Sequence, residues 1–229
     1  MSQTIRSKAI VLRRTNYGEA DRIIQIITAD HGRLSVMARG VRREKSRLAG
    51  GIELFAVCDL VLTRGTKSSS DLWTLTGARL DTFFDRIMSD YNRLQFGYEA
   101  IKQTAKAAET IDEPEFYALL EATFASLNNL AINLKITETW FYLRLAKLLG
   151  NELNTATDAS GMKLVEDARY NFDQSDQVFV FNESGRYGSD ILKILRILGA
   201  NDPQVVRRIQ GIDDLIDDAV WLARSVAKI

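Results

Sequence analysis

DRIIQIITADHGRLSVMARGVRREKSR, residues 21–47, decides the fold. Its first nine residues, Asp21 to Ala29, are dense in isoleucine, which favours strands. Asp30-His31-Gly32-Arg33 is a turn signal, and Gly32 is free to take a positive φ. Leu34, Val36 and Ala38 then alternate with Ser35, Met37 and Arg39, so a second strand follows and the two runs predict a hairpin. The stretch ends in a basic segment. Arg39, Arg42, Arg43, Lys45 and Arg47 fall within nine residues, opposed only by Glu44. The whole chain has a formal net charge of zero, so the segment is a local concentration of charge.

The same character extends to both sides. Residues 5–14, IRSKAIVLRR, form a short β-rich run, and residues 52–63, IELFAVCDLVLT, form another. A polar loop over residues 64–70 leads to DLWTLTGARL, residues 71–80, where Leu72, Thr74 and Thr76 alternate with Trp73, Leu75 and Gly77. About five strands in about 80 residues predict a small closed barrel. Periodicity alone fits an OB-fold or an SH3-like barrel. After Leu80 the period becomes helical. Residues 83–109 carry Phe83, Phe84, Ile87, Met88, Tyr91, Leu94, Tyr98 and Ile101 at helical spacing. A second helix opens at Asp112-Glu113-Pro114-Glu115, where acidic residues suit the positive end of the helix dipole. A third runs from about Thr137 to Leu149, apolar nearly all round, and closes at Gly150. Residues 170–173 and 178–181 read as a small hairpin, followed by helices over 189–198 and roughly 203–228, the last broken near Gly211. The expected class is α+β: a five-stranded barrel domain over 1–80 and a mainly helical domain over 81–229, with an irregular hairpin-bearing stretch at 151–188.

Composition narrows the function classes. Hydrophobic residues at 46%, charged residues at 26% and only two prolines argue for a packed core and against disorder. No apolar run approaches the roughly 20 residues that span a bilayer, and the N-terminus lacks signal-peptide features, so a cytoplasmic protein is expected. The single cysteine allows neither an intramolecular disulfide nor a CxxC zinc knuckle. Charge is unevenly divided: residues 1–80 carry +7 and residues 81–229 carry −7. Such asymmetry points to a polyanion-binding part joined to an acidic part.

The candidate residues follow. Arg39, Arg42, Arg43, Lys45 and Arg47 are expected to contact a phosphate backbone, with Arg13, Arg14, Arg64 and Lys67 extending the track. Tyr17 and Trp73 are candidate platforms for base stacking, whereas Phe55 reads as core. His31, the only histidine, is a turn residue without a partner for metal or base chemistry, and Cys58 reads as a small buried apolar residue. Asp213, Asp214, Asp217 and Asp218 would form adjacent carboxylate pairs on a helix. An exposed acidic face explains them better than a metal-dependent phosphoesterase. No Walker A, GxSxG, HExxH or dinucleotide fingerprint occurs, so no enzyme activity, cofactor or metal is expected. An RNA-binding adaptor is the alternative within the binding-module class.

Three segments in order, Gly18-Glu19-Ala20-Asp21-Arg22-Ile23, Thr28-Ala29-Asp30-His31-Gly32-Arg33-Leu34 and Ala38 to Arg47, resemble the N-terminal domain of the RecO family of bacterial recombination mediators. The helix FYLRLAKLLG, residues 141–150, is similar in pattern to that family's central helix. The resemblance implies an OB-fold on a helical domain and binding of single- and double-stranded DNA. It further implies annealing of strands coated with single-stranded DNA-binding protein (SSB), and cooperation with RecR to load RecA. It places the basic residues on a DNA-binding surface in a cytoplasmic, nucleoid-associated protein. Many RecO-like chains carry two CxxC pairs after the central helix. Residues 151–188 here have no cysteine, so no zinc finger is expected there.

Overall fold

The computed structural model describes residues 2–65, 71–111, 113–206, 212 and 214–228. Five strands form a closed barrel: β1 (Ser2–Tyr17), β2 (Asp21–Thr28), β3 (Gly32–Ala38), β4 (Ala56–Gly65) and β5 (Trp73–Phe83), in the order β1-β2-β3-β5-β4. β1 closes the barrel because it serves two partners. Its first half pairs with β4, from Ser2↔Gly65 to Ile10↔Val57, and its second half pairs with β2, from Ala9↔Thr28 to Tyr17↔Asp21. A bulge between Val11 and Arg13 marks the bend. The last seam is the parallel pairing of Val36 with Trp73 and of Met37 with Thr74. This order is that of the OB-fold, with the parallel β3–β5 seam closing the barrel.

Alternation then sorts side chains inside and out. Ala9, Val11, Ile24, Ile26, Val36, Ala38, Cys58, Leu60, Leu62 and Leu75 fill the barrel. Their outward neighbours Ile10, Leu12, Ile27 and Val57 are also buried but lie outside that interior group. Helices α1 (Tyr91–Ala107) and α2 (Glu115–Asn128), which contact β1 and β2, account for their burial. Phe124 is fully buried beneath this layer, with its ring edge-to-face with Phe55 at 5.4 Å and tilted against Phe84 at 5.8 Å between centroids.

Several boundaries differ from the sequence reading. β1 runs beyond 5–14 at both ends, because Ser2, Gln3 and Thr4 pair with β4 through their backbones whatever their polarity. The strand expected from Ile52 begins only at Ala56: residues 49–51 form a 3-10 turn, and Phe55 has a φ of +54°. Phe83, expected to open a helix, ends β5, and a 3-10 turn over Asp85–Ser89 precedes α1. The helix starts where Asp90 caps it by accepting from the Arg93 N–H. The strand-to-helix change thus falls near the expected boundary, but α1 and α2 belong to the first compact unit, which spans Met1–Asn128.

The second unit, Asn129–Ile229, is built on α3 (Leu134–Leu148), contacted by α4 (Ser189–Ala200), the short α5 (Pro203–Val206) and α6 (Ile216–Val226). α3 begins three residues before the expected Thr137, because Asn133 caps it by accepting from the Lys135 N–H. Gly150, with a φ of +80°, ends it as read. The expected break near Gly211 lies outside the described residues. β6 (Tyr170–Asp173) and β7 (Val178–Phe181) form the expected hairpin. Aromatic contacts hold it: Phe172 lies 5.2 Å from Phe179 and 6.2 Å from Trp221 between ring centroids.

Gly51 sets the approach of the 3-10 turn to β5. A Cβ there would lie 2.5 Å from the Ala78 Cβ and 2.6 Å from the Ala78 carbonyl carbon. Gly51→Ala is therefore expected to cost about 1–3 kcal/mol through overpacking. Urea denaturation, showing a lower midpoint at unchanged slope, checks it.

Candidate nucleic-acid interface

The connection from β3 to β4 has two apolar feet. Val41 is 2% exposed and Ile52 fully buried, both within the barrel core, while Leu48 and Ala49 pack against it. Between these feet residues 42–47 arch into solvent, so Arg42, Arg43, Lys45 and Arg47 are exposed, as is Arg39 before them. The first foot is fixed by a left-handed glycine. Gly40 has a φ of +62°, and its N–H donates to Asp21 Oδ1 at 2.7 Å. Arg42 then docks the loop on the β1–β2 turn. Its N–H donates to the Ala20 carbonyl at 2.9 Å and its Nη1 to the Gly18 carbonyl at 3.3 Å.

Neighbouring carboxylates do not neutralise the loop. Among the described residues none lies within 4.0 Å of the charged nitrogens of Arg39, Arg42, Arg43, Lys45 or Arg47. Asp21 is an anchor that sequence reasoning missed. Asp21→Ala removes the acceptor of a charge-assisted bond, of a kind worth about 1.5–3 kcal/mol when well formed. The partly exposed site places the expected loss near the lower end, measurable in thermal unfolding, with Asp21→Asn retaining most of the stability.

Strand register defines the face beside the loop. After the bulge, Arg13 stands opposite Gln25, which stands opposite Ser35. The next row is Thr15, Ile23 and Met37, and Tyr17 pairs with Asp21 at the end. These residues alternate with the inward Ile24, Ile26, Val36 and Ala38, so they point outward. Tyr17, the last residue of β1, is 55% exposed. Ile23 and Met37 are half-buried members of this face that sequence reasoning did not single out.

Other candidates fall elsewhere. Trp73 is not a surface platform: it is 5% exposed and belongs to the barrel interior, because it shares its strand face with Leu75. Arg64 lies 4.8 Å over the Trp73 ring and 3.5 Å from Asp71, and it pairs with Gln3, at the opposite end of β1 from the Tyr17 turn. Arg14 is occupied locally. Its Nη1 donates to Glu53 Oε2 at 3.0 Å and to the Ile52 carbonyl at 3.4 Å, which ties β1 to the entry of β4. Arg13 is exposed on the outward face, and Lys67 lies outside the described residues. Of the aspartate cluster, Asp213 lies outside the described residues, Asp217 is 2.6 Å from Lys135 Nζ, and Asp218 pairs with Arg186. Ion pairing thus accounts for two of these carboxylates. His31 is an exposed turn residue whose N–H donates to Thr28 Oγ1. Among the described residues no three or more His, Cys, Asp or Glu gather as a metal site, and no helix is long and apolar enough to cross a membrane.

Cys58 is fully buried, and burial pushes its thiol up to about 11. Native protein is expected to resist thiol reagents at pH 8 and to label only on unfolding, as mass spectrometry would show. The raised value also has a linkage consequence. The stabilising preference for the neutral thiol is complete below the unfolded value near 9 and is lost as pH climbs towards about 11.

Barrel order, a bent first strand and a solvent-facing cationic loop define an OB-type domain with a cationic edge. Residues 1–83 match the family model described as recombination protein O N terminal, and the match ends at Phe83, the last residue of β5. Residues 1–83, a little over a third of the chain, are thus similar to the N-terminal domain of recombination protein O.

Proposed function

We propose that the protein is a non-enzymatic recombination and repair mediator that binds single- and double-stranded DNA through the β3–β4 loop. It anneals complementary strands coated with SSB and acts with RecR to help load RecA, in the cytoplasm at the nucleoid. The observation that carries this reading is the loop itself: five exposed cations, held by Gly40, Val41 and the β1–β2 turn, without carboxylate partners among the described residues. Cations fixed in this way release condensed counterions from a phosphate backbone without first breaking ion pairs of their own. Annealing is speeded because two polyanions approach over a neutralised surface, with no covalent bond made or broken. Phosphate contacts carry no base sequence, so targets are chosen by strand state and protein partners.

The test is fluorescence anisotropy with a labelled single strand over a salt series. About five contacts give an expected slope near −3.5, from roughly −0.7 for each. Absence of binding would reject the reading, and a matched RNA competing better than DNA would mark an RNA adaptor instead. Incubation of DNA with the protein and Mg²⁺ is expected to leave it intact. Cleavage abolished by Asp214→Ala with Asp218→Ala would show an enzyme.

A further inference from the structure

We propose that the aromatic face built by the β6–β7 hairpin and α6 docks a partner protein, through a segment that carries an apolar side chain beside lysine or arginine. Register puts Tyr170 and Phe172 of β6 on the same hairpin face as Phe179 and Phe181 of β7. Tyr187 closes this group. It exchanges backbone hydrogen bonds with Tyr170 at 2.8 and 2.9 Å. Its ring meets Phe179 edge-to-face at 6.1 Å and stacks on Trp221 at 6.5 Å between centroids. Tyr170, Phe179 and Tyr187 are buried, so packing accounts for them. Packing does not account for Phe181 and Trp221, which are 56% and 43% exposed, with the half-buried Phe172 against Trp221. Exposed rings grouped on a buried aromatic base mark a contact surface, unlike apolar residues scattered singly.

Charge decides the occupant. A polyanion is disfavoured because nearby cations are already spent: Arg186 pairs with Asp218, Lys135 with Asp217 and Arg224 with Glu138. Tyr187 also lines a cavity of about 390 Å³ between residues 166–169 and the start of α4. Glu166, Asp167, Asp190 and Asp218 bring carboxylates to it. Its guanidiniums are engaged, since Arg169 donates to the Gly185 and Arg186 carbonyls and Arg186 pairs with Asp218. Glu166 holds Lys193 at 3.1 Å. Asp167 and Asp190 are left with no cation within 4.0 Å among the described residues. A lysine or arginine side chain suits that cavity in size and sign, while an apolar neighbour lies on Trp221 and Phe181. The basic loop of a second copy meets only half of this requirement, because residues 42–47, RREKSR, include no apolar side chain.

Trp221 reports on this surface, since Trp73 and Trp140 are buried. The experiment uses the full chain and synthetic peptides of alternating lysine and leucine, glutamate and leucine, or lysine and serine. The lysine–leucine peptide is expected to bind and to shield Trp221 fluorescence from acrylamide. The other peptides are expected to do neither at the same concentration. Phe181→Ser is expected to weaken peptide binding about ten-fold, and Asp167→Asn/Asp190→Asn about five-fold. These side chains are exposed, so the melting midpoint is expected to hold. A lysine–leucine peptide that does not bind, a control peptide that binds equally, or variants as tight as the parent would overturn the proposal. So would a single DNA strand that shields Trp221, which makes the surface a nucleic-acid site. A dimer in sedimentation equilibrium that Phe181→Ser dissolves makes it a self-interface and overturns the proposal as well. The variants are expected to leave DNA affinity unchanged, so this proposal and the DNA-binding reading stand or fall separately.

Discussion

Replacing Arg42, Arg43 and Arg47 together by glutamate is expected to weaken single-strand binding at least about a hundred-fold at low salt. The salt slope should flatten from about −3.5 to about −1.4, because three of about five phosphate contacts disappear at roughly 0.7 each. Reversal exceeds simple neutralisation because the new carboxylates repel the backbone. The three side chains are exposed, so stability should change little. Among the described residues, only the bond from Arg42 Nη1 to the Gly18 carbonyl is lost from the fold, and the Arg42 N–H keeps its bond to Ala20. Anisotropy over a salt series, with circular dichroism on the same samples, separates lost charge from lost structure. The Lys45→Glu variant alone should shift the slope by about 0.7.

The second large effect concerns stability. Phe124→Ala is expected to cost about 3–5 kcal/mol, the range for removing a buried phenyl ring from a packed core. Phe124 is fully buried, and its ring meets Phe55 at the entry to β4 and Phe84 just after β5. Three segments therefore lose packing together: the end of the basic connection, the exit from the barrel, and α2. The change tests whether α2 shares one cooperative unit with the barrel, since it sits outside the strands yet should lower the barrel's own unfolding midpoint. Urea denaturation followed at Trp73, buried in the barrel, reads this out. An unchanged barrel transition, with only helical signal lost, would show that the two melt separately.

The barrel was legible where alternation is strict. Leu34, Val36 and Ala38 point inward as their spacing requires, while the turn falls at residues 29–31, slightly ahead of the Asp30 to Arg33 signal, because Gly32 and Arg33 already pair with β2. The N-terminal reach of β1 was not legible, because Ser2 to Thr4 pair through backbone groups that every residue shares. The Val11/Arg13 bulge leaves no mark in composition, yet it decides that Arg13 faces outward while Arg14 turns towards Glu53. Phe83, Phe84, Ile87 and Met88 mimic helical spacing, but that stretch ends a strand and forms a 3-10 turn. Trp73 was a readable miss, since it shares a strand face with Leu75 and the barrel interior claims both. The basic loop was the clearest charge signal in the sequence. Its anchors were hidden because the bond from Gly40 to Asp21 joins residues nineteen apart in the chain.

The most direct measurement follows the annealing of two complementary strands, each coated with SSB, with a fluorophore on one strand and a quencher on the other. The protein is expected to raise the annealing rate well above the protein-free control, and the Arg42→Glu/Arg43→Glu/Arg47→Glu variant to return it close to that control. A parent protein that leaves the rate unchanged, or a variant that anneals as fast as the parent, would contradict the assignment of the β3–β4 loop as the DNA-binding element.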